Sequence, residues 1–302
     1  MRIVSLLSSA TEIVHELGMG DRLAAVSHEC DHPAAALRLP RASRCRFDAA
    51  GLDSAAIDAE VRRCMAEFGS VYEVDVDALR AARPDVILTQ GVCEVCAVPA
   101  GSVRDVAALL PTRPEVVSLD AHTLDEILAS VVQVAEAVGE PRRGTDAVAR
   151  LRGRLERVAR AVAGRPRPRI LALEWLDPLF APGHWVPEMV ERAGGASLLG
   201  TAGARSVEVP WERAAGLDPD RLLLVPCGYD LARARADAER ARPRLTECAP
   251  RAIATGGAAV GDAAFFTRSG PRVVDGVEAL AAWLHPGAVD AGAAAGRVEE
   301  WR

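Results

Sequence analysis

Apolar residues recur along the chain in two alternating rhythms. Short continuous apolar runs read as buried strands, and runs spaced three and four apart read as amphipathic helices. In the first third, a strand over residues 3–7 leads into a helix over 10–17, and a second strand covers 23–27. A polar loop runs to about residue 53. Ser54 opens a helix ending near Phe68, and residues 76–82 are helical. A strand at 86–89, a loop at 91–100, a helix near 103–110 and a strand near 116–119 complete this part. Residues 124–138 and 145–162 keep helical spacing on either side of Gly139-Glu140-Pro141, with no strand between them. The alternation then resumes with a strand at 170–173, a loop at 174–185, a helix at 186–193, a strand at 222–225 and a charged helix. A loop at 263–271 precedes a last helix at 273–284, and a loose Ala/Gly-rich tail is expected to follow.

Two segments occur twice. Glu12-Ile13-Val14-His15-Glu16-Leu17-Gly18 returns as Glu188-Met189-Val190-Glu191-Arg192-Ala193-Gly194, in each case a short helix stopped by Gly. The helix broken at Pro84-Asp85 before an apolar strand returns at Pro219-Asp220. The pattern predicts an α/β protein of two Rossmann-like lobes with mainly parallel sheets, joined by a long helical connector, with a ligand cleft between the lobes. The predicted divisions are 1–120, 121–165, 166–290 and a tail at 291–302.

In such sheets ligands sit beyond the carboxyl ends of the strands. The residues expected there are chemically unusual: Ser8, Ser9, His28, Glu29, Cys30, Gln90, Cys93, Cys96, Trp175, Asp177, Cys227 and Tyr229, with Thr11 a further ligand candidate where the first helix opens. Aromatics are scarce, so the grouping of Trp175, Trp185, Tyr229, Phe265 and Phe266 in second-half loops suggests the lining for a broad, flat, apolar ligand. His184 and Arg268 lie in the same loops. Core packing is the competing role for Phe265 or Phe266 taken singly. Ser8 or Ser9 can cap the first helix, whose free N–H groups suit a polar ligand edge. Cys93 and Cys96 form a CxxC that, with His28 and Cys30, could hold Zn or Fe or act as a redox pair. The competing role for these is two polar loops with half-buried thiols. Glu12, Glu73 and Glu188 are candidate surface carboxylates on helix faces.

Charge and composition narrow the function. The net charge is −6 and no basic run marks a nucleic-acid partner. All 36 basic residues are Arg, which removes Schiff-base and Walker-type lysine chemistry. No apolar run is long enough for membrane insertion. No GxSxG, HExxH or paired-carboxylate motif argues for an enzyme. Seven cysteines without a disulfide framework, and an opening that reads as strand and helix rather than an export signal, give the expectation of a cytoplasmic protein in a reducing compartment.

The opening Ile3-Val4-Ser5-Leu6-Leu7-Ser8-Ser9-Ala10-Thr11-Glu12, the repeated Pro-Asp-strand unit and the connecting helix resemble the helical-backbone class of ABC-transporter substrate-binding proteins. The resemblance covers about residues 3–284. Ser27-His28-Glu29-Cys30-Asp31, Cys93-Glu94-Val95-Cys96-Ala97-Val98 and Gly183-His184-Trp185-Val186-Pro187-Glu188 look like the cobalamin-binding group within it. That class binds vitamin B12, haem or ferric siderophores. The resemblance implies a clamp with little closure, a corrinoid such as cobalamin as ligand, and a transporter permease as partner. The alternative expectation is a Cys/His metal-site redox protein or metalloenzyme on the same scaffold.

Overall fold

The computed structural model describes residues 1–91 and 100–302. The chain divides into two compact units. The first comprises residues 1–52, 56–121 and 125–150; the second comprises 53–55, 122–124 and 151–302.

The first unit starts with strand β1 (Ile3–Ser5), helix α1 (Ser8–Glu16) and strand β2 (Leu23–Val26). Then come β3 (Ser43–Cys45), α2 (Ser54–Phe68, its first two residues in the second unit), β4 (Tyr72–Val74), α3 (Val76–Ala82), β5 (Val86–Thr89), α4 (Ala100–Leu109), β6 (Glu115–Ser118) and α5 (Leu124–Ala137, its first residue in the second unit). A wholly parallel sheet in the order β2-β1-β5-β6 forms its centre. Val103 and Ala107 of α4 and Leu79 of α3 share one buried cluster with Val4 and Ile87 of the sheet, so the strands read as continuous apolar runs. Asp75 caps α3 by accepting the Ala78 N–H at 2.9 Å. The unit boundary falls inside α6 (Pro141–Val162), between residues 150 and 151.

The second unit contains β7 (Arg169–Leu173), β8 (Trp175–Leu176), β9 (Leu179–Ala181), α7 (Val186–Arg192), β10 (Ala196–Ser197), β11 (Val207–Glu208), α8 (Trp211–Ala215) and β12 (Arg221–Leu224). It continues through α9 (Leu231–Cys248), α10 (Pro250–Ala254), β13 (Ala258–Gly261), α11 (Ala263–Phe266), α12 (Val273–Leu284) and β14 (Val298–Glu300). Its main sheet runs β10-β7-β12-β13-β14, parallel except for the last strand. Leu222, Leu223 and Leu224 are wholly buried, each contributing about 1.5–3 kcal/mol by leaving water.

The sequence repeat has a physical basis. The Arg2 N–H donates to the Asp85 carboxylate at 2.6 Å, and its Nε donates to the Ala82 carbonyl. One repeat later the Arg169 N–H donates to Asp220 at 2.8 Å, and its Nη2 donates to the Leu217 carbonyl. Arg83 and Asp218 are both left-handed, at φ 47° and 44°. Each Pro-Asp thus ends a helical turn and pins the first strand of its sheet. Gly18 and Gly194, at φ 69° and 86°, end the duplicated short helices in a backbone region glycine enters without strain.

Several sequence expectations are corrected. Ser8 and Ser9 lie inside the first turn of α1, whose cap position is Leu7 with no side-chain cap, because α1 begins two residues early. Residues 43–45 and 72–74, read as loop and unassigned chain, pair as antiparallel β3 and β4. The loop at 174–185 holds the antiparallel ribbon β8-β9, extended by β11. The tail at 291–302 is not loose. β14 pairs with β13, and Trp301 is wholly buried with its Nε1–H donating to Glu239 at 2.7 Å.

Candidate functional site

In the second unit the strand-end loops are tied together by their backbones. The Val225 N–H donates to the Leu173 carbonyl at 2.9 Å, and the Cys227 N–H to the Glu174 carbonyl at 3.1 Å. The Ala263 N–H donates to the Tyr229 carbonyl at 2.9 Å. These bonds bring together the carboxyl ends of β7, β12 and β13. Trp175 and Tyr229 meet there with ring centroids 5.1 Å apart at 54°, a tilted aromatic pair. The Trp175 Nε1–H donates to the Asp177 carbonyl at 3.0 Å, which fixes the indole while leaving it half-buried. The Arg233 guanidinium lies 4.3 Å from the Tyr229 ring centroid, a cation–π contact. Tyr229 is itself only 3% exposed, which corrects its expected place on the ligand surface: it backs the Trp175 indole from within. Burial pushes its phenol up, so it is neutral at physiological pH. Asp177 and Cys227 are exposed on the same loops.

His184 stands on a neighbouring turn at φ 48°, clamped by its N–H donating to Ala204 O and its carbonyl accepting from Gly203 N–H. The turn requires Gly183, since a Cβ there would sit 2.3 Å from the Ser206 nitrogen. His122 lies against it with ring centroids 5.5 Å apart at 24°. Burial, then His122 and Arg205, hold the His184 imidazole below its ordinary pKa and so neutral. His122 is a site neighbour that the sequence reading missed, although it follows the end of β6 by four residues.

Two of the remaining aromatics, Trp185 and Phe266, serve the core. Phe266 is wholly buried and Trp185 is 8% exposed, its Nε1–H donating to the Phe266 carbonyl at 2.6 Å. The expectation that both line a ligand is corrected: each is an apolar side chain facing the second unit's interior. Phe265 is half-buried, with the Arg272 and Arg297 guanidinium groups 5.0 and 5.2 Å from its ring centroid. Arg268 is half-buried in the next turn, near Asp262.

The first unit's strand ends carry a polar group instead. His28 Nδ1 lies 3.0 Å from the Ser43 hydroxyl, its Nε2 lies 3.3 Å from Glu29 Oε1, and its ring packs 5.0 Å from Tyr72. Glu29 is exposed and Ser8 half-buried. Tyr72, one of only two tyrosines in the chain, was not read from the sequence as a site residue; its rarity was the available signal. Ser9 and Thr11 are wholly buried, and Thr11 Oγ1 lies 3.0 Å from the sulfur of Cys30, itself 1% exposed. Arg41 Nη1 locks that loop by donating to the carbonyls of Ser27 and Cys30. Ser9, Thr11 and Cys30 are therefore packed in the interior, which corrects their placement on a ligand surface. Gln90 is nearly buried, at 8%.

A Cys/His metal centre finds no support. Cys93 and Cys96 lie outside the described residues. Cys30 faces Thr11 while His28 faces Ser43 and Glu29, so the two do not converge. Among the described residues no group of three His, Cys, Asp or Glu side chains is placed to hold a metal ion. The candidate surface carboxylates are engaged as well. Glu12 is 4% exposed, Glu73 pairs with Arg44 and Arg46, and Glu188 accepts the Leu124 N–H and pairs with Arg192. No helix among the described residues is long and apolar enough to cross a membrane.

Comparison with known proteins fits this architecture. The family described as periplasmic binding protein matches residues 3–242. The vitamin B12-binding protein of Vibrio cholerae serotype O1 is 25% identical over 217 residues. That match covers 71% of this chain and 64% of the relative, so the chain spans less than two thirds of the relative's length. Among solved structures, the periplasmic vitamin B12-binding protein of Vibrio cholerae superposes with a TM-score of 0.68 at 22% identity, covering 94% of this chain and 96% of that one. A periplasmic heme-binding protein from Pseudomonas aeruginosa gives 0.70 at 23%, covering 95% and 93%. The expectation of a cytoplasmic protein is overturned by these matches, whose family and structural neighbours are periplasmic; the inference of a reducing compartment falls with it. The relatives are binding proteins and not enzymes, as the absence of catalytic motifs led us to expect. By its match over residues 3–242, this chain belongs to the periplasmic binding protein family.

Proposed function

We propose that the protein binds cobalamin or a closely related metal-chelate macrocycle and delivers it to the permease of an ABC importer. The observation that carries this reading is the half-buried Trp175 indole seated on Tyr229 at the carboxyl ends of β7 and β12. A flat, largely apolar ring system is the ligand such a surface serves, because aromatic faces give large contact area with little entropy to lose. The names of the relatives, which include vitamin B12 and heme binders, support the same ligand class. In this reading the Trp175 indole, backed by the buried Tyr229 ring, meets the macrocycle face, and Asp177, His184, Phe265 and Arg268 border it. The first unit by itself offers a separate polar surface of Ser8, His28 and Glu29 with Tyr72, proposed as a contact for polar ligand groups.

The test is a visible-absorbance titration of the purified protein with cyanocobalamin, cobinamide and haem in parallel. The reading predicts saturable binding of at least one of them at one per chain. Failure of all three at micromolar protein would refute it.

A further inference from the structure

The two edges of the first unit's sheet differ. Beyond β2 the chain at residues 40–42 closes the edge: the Val26 N–H donates to Pro40 O at 2.9 Å and the Ala42 N–H to Val26 O at 2.8 Å. Beyond β6, no strand follows among the described residues. The register decides which groups face out. The Glu115 N–H donates to Asp85 O and the Leu119 N–H to Thr89 O, both at 2.9 Å, so the odd-numbered residues face β5. In a parallel ladder the alternate residues point both backbone groups the other way. The Val116 N–H and C=O therefore face outward, in line with the Pro114 C=O and the Ser118 N–H. The Ser118 carbonyl accepts from Gln133 Nε2 at 3.1 Å, which closes the far end and leaves room for a short segment only.

Beside this edge lies an open groove of about 560 Å³, lined by Arg104, Ala107, Ala108, Arg113, Pro114 and Val116. Its floor is apolar, and its two guanidinium groups make no ion pair among the described residues. Leu109, next along α4, is 79% exposed, more than any other large apolar side chain among the described residues. An open strand edge is a template for another strand, and unpaired arginines select carboxylates.

We propose that this edge docks a short, extended, acidic segment of a partner protein. The segment adds to β6 as a strand through Val116, places alternate apolar side chains over Ala107 and Val116, and sets its carboxylates against Arg104 and Arg113. The site stands apart from the ligand reading, since Arg113 and Pro114 precede β6 whereas the ligand candidates follow the carboxyl ends of strands.

The probe is the peptide acetyl-Val-Glu-Val-Glu-Val-amide, titrated into ¹⁵N-labelled full-length protein. The expected result is saturable shifts centred on the Val116 and Ser118 amides, with slowed hydrogen exchange at both. Replacing Arg104→Gln and Arg113→Gln together should weaken the peptide on the order of tenfold, as loss of two exposed ion pairs implies. The macrocycle titration should be unchanged. Absence of saturable shifts, shifts centred elsewhere, equal affinity for the double variant, or equal binding of the Val-Lys-Val-Lys-Val peptide would each overturn the proposal.

Discussion

The two units share one scaffold device and carry different chemistry on it. In both, an Asp after Pro pins the first strand of the sheet, with an Arg guanidinium closing the turn before it. In both, the unusual residues sit where strands end. The first unit offers His28 with Ser43, Glu29 and Tyr72, a hydrogen-bonding group. The second offers Trp175 on Tyr229 under Arg233, an aromatic face with a cation behind it. The backbone repeat therefore positions loops, and the loops alone decide what is recognised.

The largest expected effect separates core aromatics from site aromatics. Phe266→Ala should cost about 3–5 kcal/mol of stability, since it empties a wholly buried position, and denaturant melts read this directly. Trp175→Ala should do the reverse. It should leave the melt nearly in place and weaken macrocycle binding by about 1–3 kcal/mol, roughly a factor of 5 to 150, in the absorbance titration. A large stability loss in Trp175→Ala would erase the distinction.

A smaller effect tests the shared device. Asp85→Ala and Asp220→Ala should each cost about 1 kcal/mol, because both lose a carboxylate accepting a backbone N–H at an exposed position. Unequal costs would show that the two knots are not equivalent. Asp220 also predicts a pH dependence. The Arg169 N–H, and then Arg251, hold its carboxyl below the ordinary carboxylate range. Its stabilisation is thus present above the unfolded value and is lost as pH falls through the depressed one. The stability difference between wild type and Asp220→Ala should shrink on acidification, which melts at neutral and low pH would measure.

Asp237 carries the opposite sign. Its carboxyl is nearly buried and burial raises its pKa, so stability is lost as pH rises from the ordinary carboxylate range through that raised value. Asp237→Asn should raise the melting temperature at neutral pH and give no gain at acidic pH. A gain that is the same at both would count against a strained charge there.

Much of the fold was legible in the sequence. The main parallel strands read as unbroken apolar runs, and the Pro-Asp breaks located β5 and β12. The missed elements have weak local signals. β3, β4, β8, β9 and β14 are two or three residues long; β3 and β14 gain their pairing from distant chain, as Cys45 does from Tyr72 and Val298 from Gly261, whereas β8 and β9 pair across a tight two-residue turn. β13 is Ala-Ala-Val-Gly, too poor in branched side chains to stand out. Of the site, position was legible and orientation was not. Trp175 and Trp185 both fall in loops, yet only the hydrogen bond from Trp185 to Phe266 O shows that it turns inward. Thr11 and Cys30 likewise look exposed until their contact with each other is seen. Location in the cell was misread from local composition, whereas the family match points to the periplasm.

The most direct test of the account is a paired cyanocobalamin titration of wild type and Trp175→Ala, each with its melting curve. The account predicts saturable binding by wild type, at least fivefold weaker binding by Trp175→Ala, and melts that nearly coincide. Equal affinity in the two proteins, with coincident melts, would contradict the claim that the Trp175 face, backed by Tyr229, holds the ligand.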